Sequence, residues 1–187
     1  MLTHPSTTKD MNKQHWDNFY NKSDKQKEST FAEFCVPYMN NSVIELGCGD
    51  GRDIEYFCRK NILAKGVDQS YENSLIIKSD VLKYIKNNKC SSDVYTRFFW
   101  HAIDRDSQLN ILKWVNHNLF IEARTTEDRD RKKIYADHDR NYVDVTQLVK
   151  DLKDSGFQIL FFKEGTGLSK FRDEDPHLVR VIARKSK

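Results

Sequence analysis

Apolar and polar positions follow two alternating periods along residues 42–184. Short apolar runs typical of buried strands alternate with segments whose apolar residues recur at helical spacing. The pattern predicts strands over 42–46, 62–68, 75–80, 93–103, 119–124, 157–162 and 177–184, and helices over 51–60, 81–87, 105–117 and 143–155. Strands that alternate with helices indicate parallel βαβ units with helices on both faces of the sheet.

The last two predicted strands are connected differently from the others. Only the loop 163–176 joins them, and a parallel return would need a longer, usually helical crossover. We therefore predict an α/β fold with a seven-stranded, mostly parallel sheet whose last strand is antiparallel.

The first 30 residues are polar and rich in lysine. Trp16, Phe19 and Tyr20 have the i, i+3, i+4 spacing of one helix face. We predict an N-terminal helical cap over 1–41 that covers a main domain over 42–187. The length of 187 residues fits a single domain overall.

Composition excludes several classes of protein. With 38% hydrophobic and 32% charged residues the chain should fold as a soluble globular protein, and its net charge of +3 is too small to indicate a nucleic-acid partner. The cysteines form no CxxC pair, and no apolar N-terminal run resembles a signal peptide or a membrane span. We expect a cytoplasmic protein with reduced thiols, no disulfides and no zinc; its oligomeric state stays open.

A glycine-rich turn follows the first predicted strand. Gly47, Gly49 and Gly51 lie where an open α/β sheet binds ligands, beyond the carboxyl end of a strand. A dinucleotide-binding GxGxxG motif would place its third glycine where Arg52 stands, so the spacing argues against NAD. Tight packing alone is the alternative explanation of these glycines.

Two acidic residues lie beside this turn. Glu45 ends the first predicted strand, and Asp68 ends the second, where a carboxylate can accept both hydroxyls of a ribose. No GK[ST] sequence is present to bind a triphosphate. A nucleoside with an amino-acid-like tail therefore fits better than a nucleotide.

The acidic residue followed by GxGxG resembles the first motif of class I S-adenosylmethionine-dependent methyltransferases, a Rossmann-like family with the same seven-stranded sheet. The likeness extends from Trp16 to the terminal hairpin. It implies that the methionine end lies at the glycine turn, the ribose at Asp68 and the adenine at Asp80. The full set of cofactor-binding residues that it implies is Glu45, Gly47, Cys48, Gly49, Gly51, Asp68, Gln69, Asp80 and Val81.

The fourth predicted strand normally faces the methyl group in this family. Its segment 95–103 lacks the Asn/Asp-Pro-Pro-aromatic sequence of adenine and glutamine methyltransferases, which weighs against nucleobase N-methylation. Arg97 and His101 reach the mouth of the site if the strand turns after Phe99. His101 is then either a base or substrate contact, or a hydrogen-bonded core histidine.

The polar stretch 125–142 is long for a connection, and long loops are often functional. Its first half is a charge run typical of a solvated loop. Its second half, His138 to Tyr142, combines a possible base with an arginine and a tyrosine, so we predict that it binds substrate.

Four segments together resemble a narrower branch, the small methyltransferases associated with bacterial capsule, O-antigen and related surface-glycan clusters. They are Arg97 to His101, Glu122 to Asp128, His138 to Tyr142, and Asp175 to Arg180. Trp100 departs from the usual smaller residue, which affects the shape of the pocket.

We predict an O-methyltransferase that acts on a hydroxyl or phosphoryl oxygen of an anionic sugar or surface-glycan precursor. A hydroxyl acceptor would need a base, for which His101 and His138 are the candidates, whereas a phosphoryl oxygen would need none. Arginine binds phosphate in a bidentate manner, and methyl transfer from a sulfonium needs no metal. The expected catalytic residues are His101, His138 and Arg97, and the expected substrate-binding residues are Arg97, Arg124, Arg140 and Tyr142. The alternatives are a small-molecule methyltransferase of another pathway and a non-catalytic S-adenosylmethionine-binding module.

Overall fold

The computed structural model describes residues 27–131 and 140–186, in which one sheet has helices on both faces. Its strands are β1 Ser42–Leu46, β2 Leu63–Asp68, β3 Ile76–Lys78, β4 Asp93–Arg97, β5 Asn118–Arg124, β6 Phe157–Gly165 and β7 Leu178–Lys185. Its α-helices are α1 Thr30–Cys35, α2 Arg52–Arg59, α3 Val81–Asn87, α4 Arg105–Trp114 and α5 Val145–Asp154. Single turns of 3₁₀-helix cover Val36–Tyr38, Trp100–Ala102 and Thr126–Asp128.

The strand order is β3-β2-β1-β4-β5-β7-β6. The pairs among β1 to β5 are all parallel, whereas β7 is antiparallel to both of its neighbours, β5 and β6. The predicted seven-stranded sheet with an antiparallel last strand is therefore confirmed. Because β1, β2, β4 and β5 are parallel, their carboxyl ends lie at the same edge of the sheet.

Two apolar clusters hold the layers together. One contains Trp100 and the buried residues of α3, α4 and α5, and the other contains Phe31, Phe57, Tyr95 and Phe120 with α1 and α2. Neighbouring residues of a strand contribute to different clusters, as they must when successive side chains point to opposite faces. The sheet is thus covered on both sides, as the sequence predicts.

Most helices begin at a side-chain cap. Asp80, Asp104 and Asp144 each accept a hydrogen bond from the backbone N–H three residues later, and Ser29 does the same for α1. Helix α2 begins without such a cap, directly after Gly51, whose φ of 77° suits a glycine. The glycine turn therefore enters its helix through the left-handed Gly51, with Asp50 Oδ1 accepting a hydrogen bond from the N–H of Arg52 at 3.3 Å.

The predicted strand over 93–103 is wrong beyond Arg97. Phe98 has a φ of 54°, which ends β4, and Trp100 begins a turn of 3₁₀-helix. Trp100 is fully buried in this turn. The apolar run that indicated a longer strand is thus explained by burial in a helical turn.

Within the described part of the predicted N-terminal cap, Thr30–Cys35 and Val36–Tyr38 are helical. Helix α1 buries Phe31, Ala32 and Cys35 against the sheet. The predicted aromatic face at Trp16, Phe19 and Tyr20 lies outside the described residues. Within residues 27–131 and 140–186, no helix is both long enough and apolar enough to cross a bilayer.

Candidate functional site

The predicted cofactor residues lie together at the carboxyl ends of β1, β2 and β3. The backbone N–H of Gly49 donates to Asp68 Oδ2 at 2.9 Å, which joins the glycine turn to the end of β2. Ile76 at the start of β3 packs against Gly51, where an added Cβ would lie 2.8 Å from its Cδ1. The structure therefore brings the turn and Asp68 into direct contact.

The backbone amides of the glycine turn are already hydrogen-bonded within the protein. Gly47 donates to the Val67 carbonyl at 2.9 Å, and Gly51 donates to the Cys48 carbonyl at 3.1 Å. A phosphate-binding loop instead points its N–H groups at the ligand. The N–H groups of the three glycines therefore point at the protein and not at a ligand.

The glycines make room for neighbouring side chains. A Cβ on Gly47 would collide with the ring of Phe99, and one on Gly51 would collide with Ile76. At Gly47 and Gly51, tight packing is thus sufficient to explain why the residue is glycine. Phe99 follows β4 directly after Phe98, so this contact also places the end of β4 against the turn.

Glu45 is a buried carboxylate with one oxygen available to a ligand. It is only 4% exposed, and its Oε2 has no hydrogen-bond partner in the described part of the chain. Burial raises the pKa of Glu45 well above its ordinary value, the negative charge of Asp53 raises it further, and Arg97 and Arg52 oppose this effect. A buried, unpaired carboxylate oxygen beside the turn fits the ammonium group of an amino-acid tail.

Asp53 is a functional candidate that sequence reasoning missed. It is 2% exposed and accepts hydrogen bonds from the N–H and the Oγ of Ser29, both at 2.7 Å, and from the hydroxyl of Tyr95 at 3.0 Å. It thereby ties the start of α1 to the start of α2. Its place in the first turn of the helix after the glycine turn, where negative charge is favoured, was the available signal.

The remaining predicted cofactor residues are held by neighbouring backbone or packing. Asp68 accepts hydrogen bonds from the N–H groups of Gly49 and Ser70, and Gln69 is half-buried beside it. Asp80 caps α3, and Val81 is packed in the core. Cys48 is also buried, with its Sγ against the Cα of Gly66, so only its backbone faces the turn.

The predicted substrate residues gather at the ends of β4 and β5. The Nε of Arg97 lies 2.9 Å from Glu122 Oε1 in an ion pair, and the Arg97 guanidinium lies over the Phe98 ring at 4.4 Å from its centroid. Arg124 lies over the same ring at 5.6 Å. The arginines of neighbouring strands therefore share one aromatic ring.

Glu122 is the buried anion of this region. It is fully buried, accepts a hydrogen bond from Arg180 Nε at 2.6 Å and one from the Ser169 hydroxyl at 3.0 Å, and pairs with Arg97. Arg180 in turn donates to the hydroxyl of Thr30 at 2.8 Å. Glu122 thus fixes Arg97 and joins β5, β7 and α1.

Arg124 and Arg140 lie close to each other. Arg124 pairs with Asp128 at 2.6 Å and with Glu174. Burial lowers the pKa of Arg140, the positive charge of Arg124 lowers it further, and a hydrogen bond with Tyr142 opposes this. The structure therefore brings all four predicted substrate residues to one end of the sheet.

His101 is held by the backbone. It is 4% exposed, and its Nδ1 accepts a hydrogen bond from the N–H of Arg124 at 3.1 Å. This bond places the proton of the neutral imidazole on Nε2. The geometry favours the hydrogen-bonded core histidine over the predicted base. His138, the other candidate base, lies outside the described residues.

In the described ranges, no group of three or more His, Cys, Asp or Glu side chains is placed to hold a metal ion. All four cysteines are free thiols, with Cys58 exposed and the others buried.

Solved structures with a similar fold include S-adenosylmethionine-dependent methyltransferases. A 1,6-didemethyltoxoflavin-N1-methyltransferase from Burkholderia thailandensis, solved with bound S-adenosylhomocysteine, has a TM-score of 0.70 at 14% identity and covers 100% of this chain and 94% of its own. An S-adenosylmethionine-dependent methyltransferase from Clostridium acetobutylicum has a TM-score of 0.64 at 14% identity. The match covers 93% of this chain and 97% of that chain. Another from Archaeoglobus fulgidus has a TM-score of 0.57 at 21% identity. The match covers 82% of this chain and 90% of that chain.

No protein-family model matches the chain, and no curated protein matches it either. The likeness to these solved structures shows that the fold is that of the Rossmann-like class I methyltransferases, as the sequence predicts.

Proposed function

We propose that the protein is an S-adenosylmethionine-dependent methyltransferase that acts on an oxygen atom of an anionic sugar or surface-glycan precursor. The cofactor part of this proposal rests most on the buried Glu45 carboxylate, whose Oε2 has no hydrogen-bond partner in the described ranges, next to a glycine turn whose glycine N–H groups are hydrogen-bonded within the protein. A cationic amino-acid tail on a nucleoside matches both features.

The cofactor residues divide into three groups. Glu45 pairs with the ammonium group of the methionine end, the fixed carboxylate of Asp68 accepts the ribose hydroxyls, and Asp80 with Val81 borders the adenine. When bound, the cofactor supplies an activated methyl group. The residues at the end of β4 then hold the acceptor in line with it, because in-line displacement depends on alignment.

Arg97 is the residue that we assign to the anionic group of the acceptor. Its side chain is 15% exposed, and its Nε lies 2.9 Å from Glu122 Oε1 as an ion pair but has no hydrogen-bond partner in the described part of the chain. Around it, Arg180, Arg124 and Arg140 are accompanied by the carboxylates of Glu122, Asp128 and Glu174. These seven side chains are four arginines and three carboxylates, and the carboxylates of Asp53 and Glu45 also act on Arg97.

The orientation of the His101 ring indicates which kind of oxygen atom accepts the methyl group. With Nδ1 accepting from the backbone, His101 presents a donor at Nε2. A phosphoryl oxygen needs no base and is therefore the favoured acceptor. A sugar hydroxyl remains in the proposal with His138 as its base.

The test is transfer of a labelled methyl group from S-adenosylmethionine. We expect transfer to sugar phosphates, nucleotide sugars or phosphoryl-modified glycans, and little to the corresponding neutral sugars. Arg97→Met should lower transfer to the anionic acceptors while cofactor binding persists. Transfer that is equal for neutral and anionic acceptors would contradict the anionic assignment. Transfer to a heterocyclic nitrogen instead would identify a small-molecule methyltransferase of another pathway.

A non-catalytic S-adenosylmethionine-binding module is the second candidate. The hydrogen bond that occupies Nδ1 of His101 favours it over transfer to a hydroxyl, because His101 then offers no base to such an acceptor. Such a module would bind the cofactor but release no labelled product with any acceptor or cell extract.

A further inference from the structure

Phe98 has an unfavourable backbone conformation and lies between the predicted cofactor residues and the predicted substrate residues. It directly follows β4 and has a φ of 54°, a left-handed conformation that a bulky aromatic residue rarely adopts. Its N–H donates to the carbonyl of Glu122 at 2.9 Å, which fixes this turn to β5. Strain of this kind persists only where the surroundings impose it, and it is concentrated at functional sites.

Three side chains of the site meet on the Phe98 ring. The guanidinium groups of Arg97 and Arg124 lie 4.4 and 5.6 Å from its centroid. The ring of His101 contacts it edge to face, with centroids 5.8 Å apart at an interplanar angle of 73°. These residues come from two strands and a helical turn, and Phe98 is their common neighbour.

The ring has a physical effect on the two arginines. Guanidinium groups repel each other, and the negative face of an aromatic ring attracts both. With Nε held by Glu122 and the guanidinium packed on the ring, Arg97 loses the rotational freedom of a long side chain. An arginine ordered in this way loses less entropy when it binds an anion.

We propose that Phe98 is a positioning residue that orients Arg97, and Arg124 beside it, for the anionic group of the acceptor without touching the reacting atoms. This inference rests on the proposed function, because it assumes that Arg97 binds an anion. The ordinary alternative is that Phe98 only fills space in the core.

The test uses inorganic phosphate as the probe and the NMR signal of the Arg97 Nε–Hε group as the reporter. The signal is assigned by its loss in Arg97→Lys, and in the unmodified protein the ring current of Phe98 should displace it. We expect Phe98→Leu to abolish this displacement and to weaken phosphate binding roughly two- to tenfold, the cost of immobilising one long side chain on binding. Phe98→Tyr, which keeps the ring, should bind phosphate within about twofold of the unmodified protein.

Two further variants separate positioning from folding. Phe98→Gly adopts a positive φ without strain, so it should fold even if Phe98→Leu does not, and it should show the same loss of phosphate binding. Phe162→Leu, at an exposed aromatic residue of β6, is the control and should leave phosphate binding unchanged.

The outcomes are distinct. Equal phosphate affinity in Phe98→Gly and Phe98→Tyr would overturn the positioning role. If phosphate fails to shift the Arg97 signal in the unmodified protein, the inference is overturned as well. Calorimetric titration with S-adenosylmethionine tests the proposed function separately, because it depends on the glycine turn and not on Phe98.

Discussion

Replacing Glu45 by glutamine should change stability and cofactor binding in opposite directions. Glu45 is 4% exposed, its Oε2 has no hydrogen-bond partner within the described ranges, and Asp53 adds a second negative charge nearby. Glutamine keeps the shape of the side chain and removes its titration. The substitution therefore isolates the effect of the charge.

The stability effect depends on pH. The pKa of Glu45 is raised on folding above its ordinary value near 4.5, so the folded protein binds this proton more tightly than the unfolded chain does. The resulting stabilisation is complete below the unfolded pKa and is lost as pH rises toward the folded pKa, by up to about 1.4 kcal/mol per pH unit. Because glutamine does not titrate, Glu45→Gln should become more stable than the parent as pH rises from 5 to 8.

Cofactor binding should respond in the other direction. The ammonium group of S-adenosylmethionine favours the ionised carboxylate, and a hydrogen bond to a charged group contributes about 1.5–3 kcal/mol. Glu45→Gln should therefore weaken binding by roughly 10- to 150-fold. In the parent, affinity should rise with pH because Glu45 has less need to lose a proton before it pairs with the ammonium group.

The assays are urea unfolding at pH 5, 6.5 and 8 and calorimetric titration with S-adenosylmethionine at the same pH values. Glu72→Gln, at an exposed position, is the matched control and should change neither quantity. The reasoning is refuted if Glu45→Gln loses stability relative to the parent as pH rises, or if it binds the cofactor as tightly as the parent does.

Three further predictions concern other buried groups. Asp68→Ala should weaken S-adenosylmethionine binding, and unchanged calorimetric affinity would argue against the ribose role. Glu122→Gln should lower the free energy of unfolding in urea by about 3–5 kcal/mol, because two arginines lose a buried partner; a loss below about 1 kcal/mol would contradict this. For His101, side-chain ¹⁵N NMR should show the Nε2–H tautomer from pH 6 to 8, and protonation in that range would restore it as a base candidate.

Much of the fold could be predicted because the apolar pattern has a clear period in most elements. Strand β1 and helix α3 have the predicted bounds, and the loop-joined final pair indicated the antiparallel β7. The exception is the segment after Arg97. There the apolar run continued past the end of β4, and periodicity cannot distinguish a longer strand from a turn that buries Trp100.

The position of the site in the fold could be predicted from the sequence, but the ion pairs and hydrogen bonds among its side chains could not. The parallel strand order predicted that the carboxyl ends of β1 and β2 lie side by side. It therefore also predicted that Glu45 and Asp68 lie close together. The pairing of Glu122 with Arg180 depends on β7 inserting beside β5, where these two residues are directly opposite each other. The tautomer of His101 depends on one backbone N–H, which no sequence pattern specifies.

The most direct test of the central claim is an NMR titration of the protein with S-adenosylmethionine. The account predicts one-to-one binding, with the largest backbone shifts at Gly47, Gly49 and Glu45 and at Asp68 across the turn. Absence of binding, or shifts confined to residues away from the carboxyl ends of β1 and β2, would contradict it.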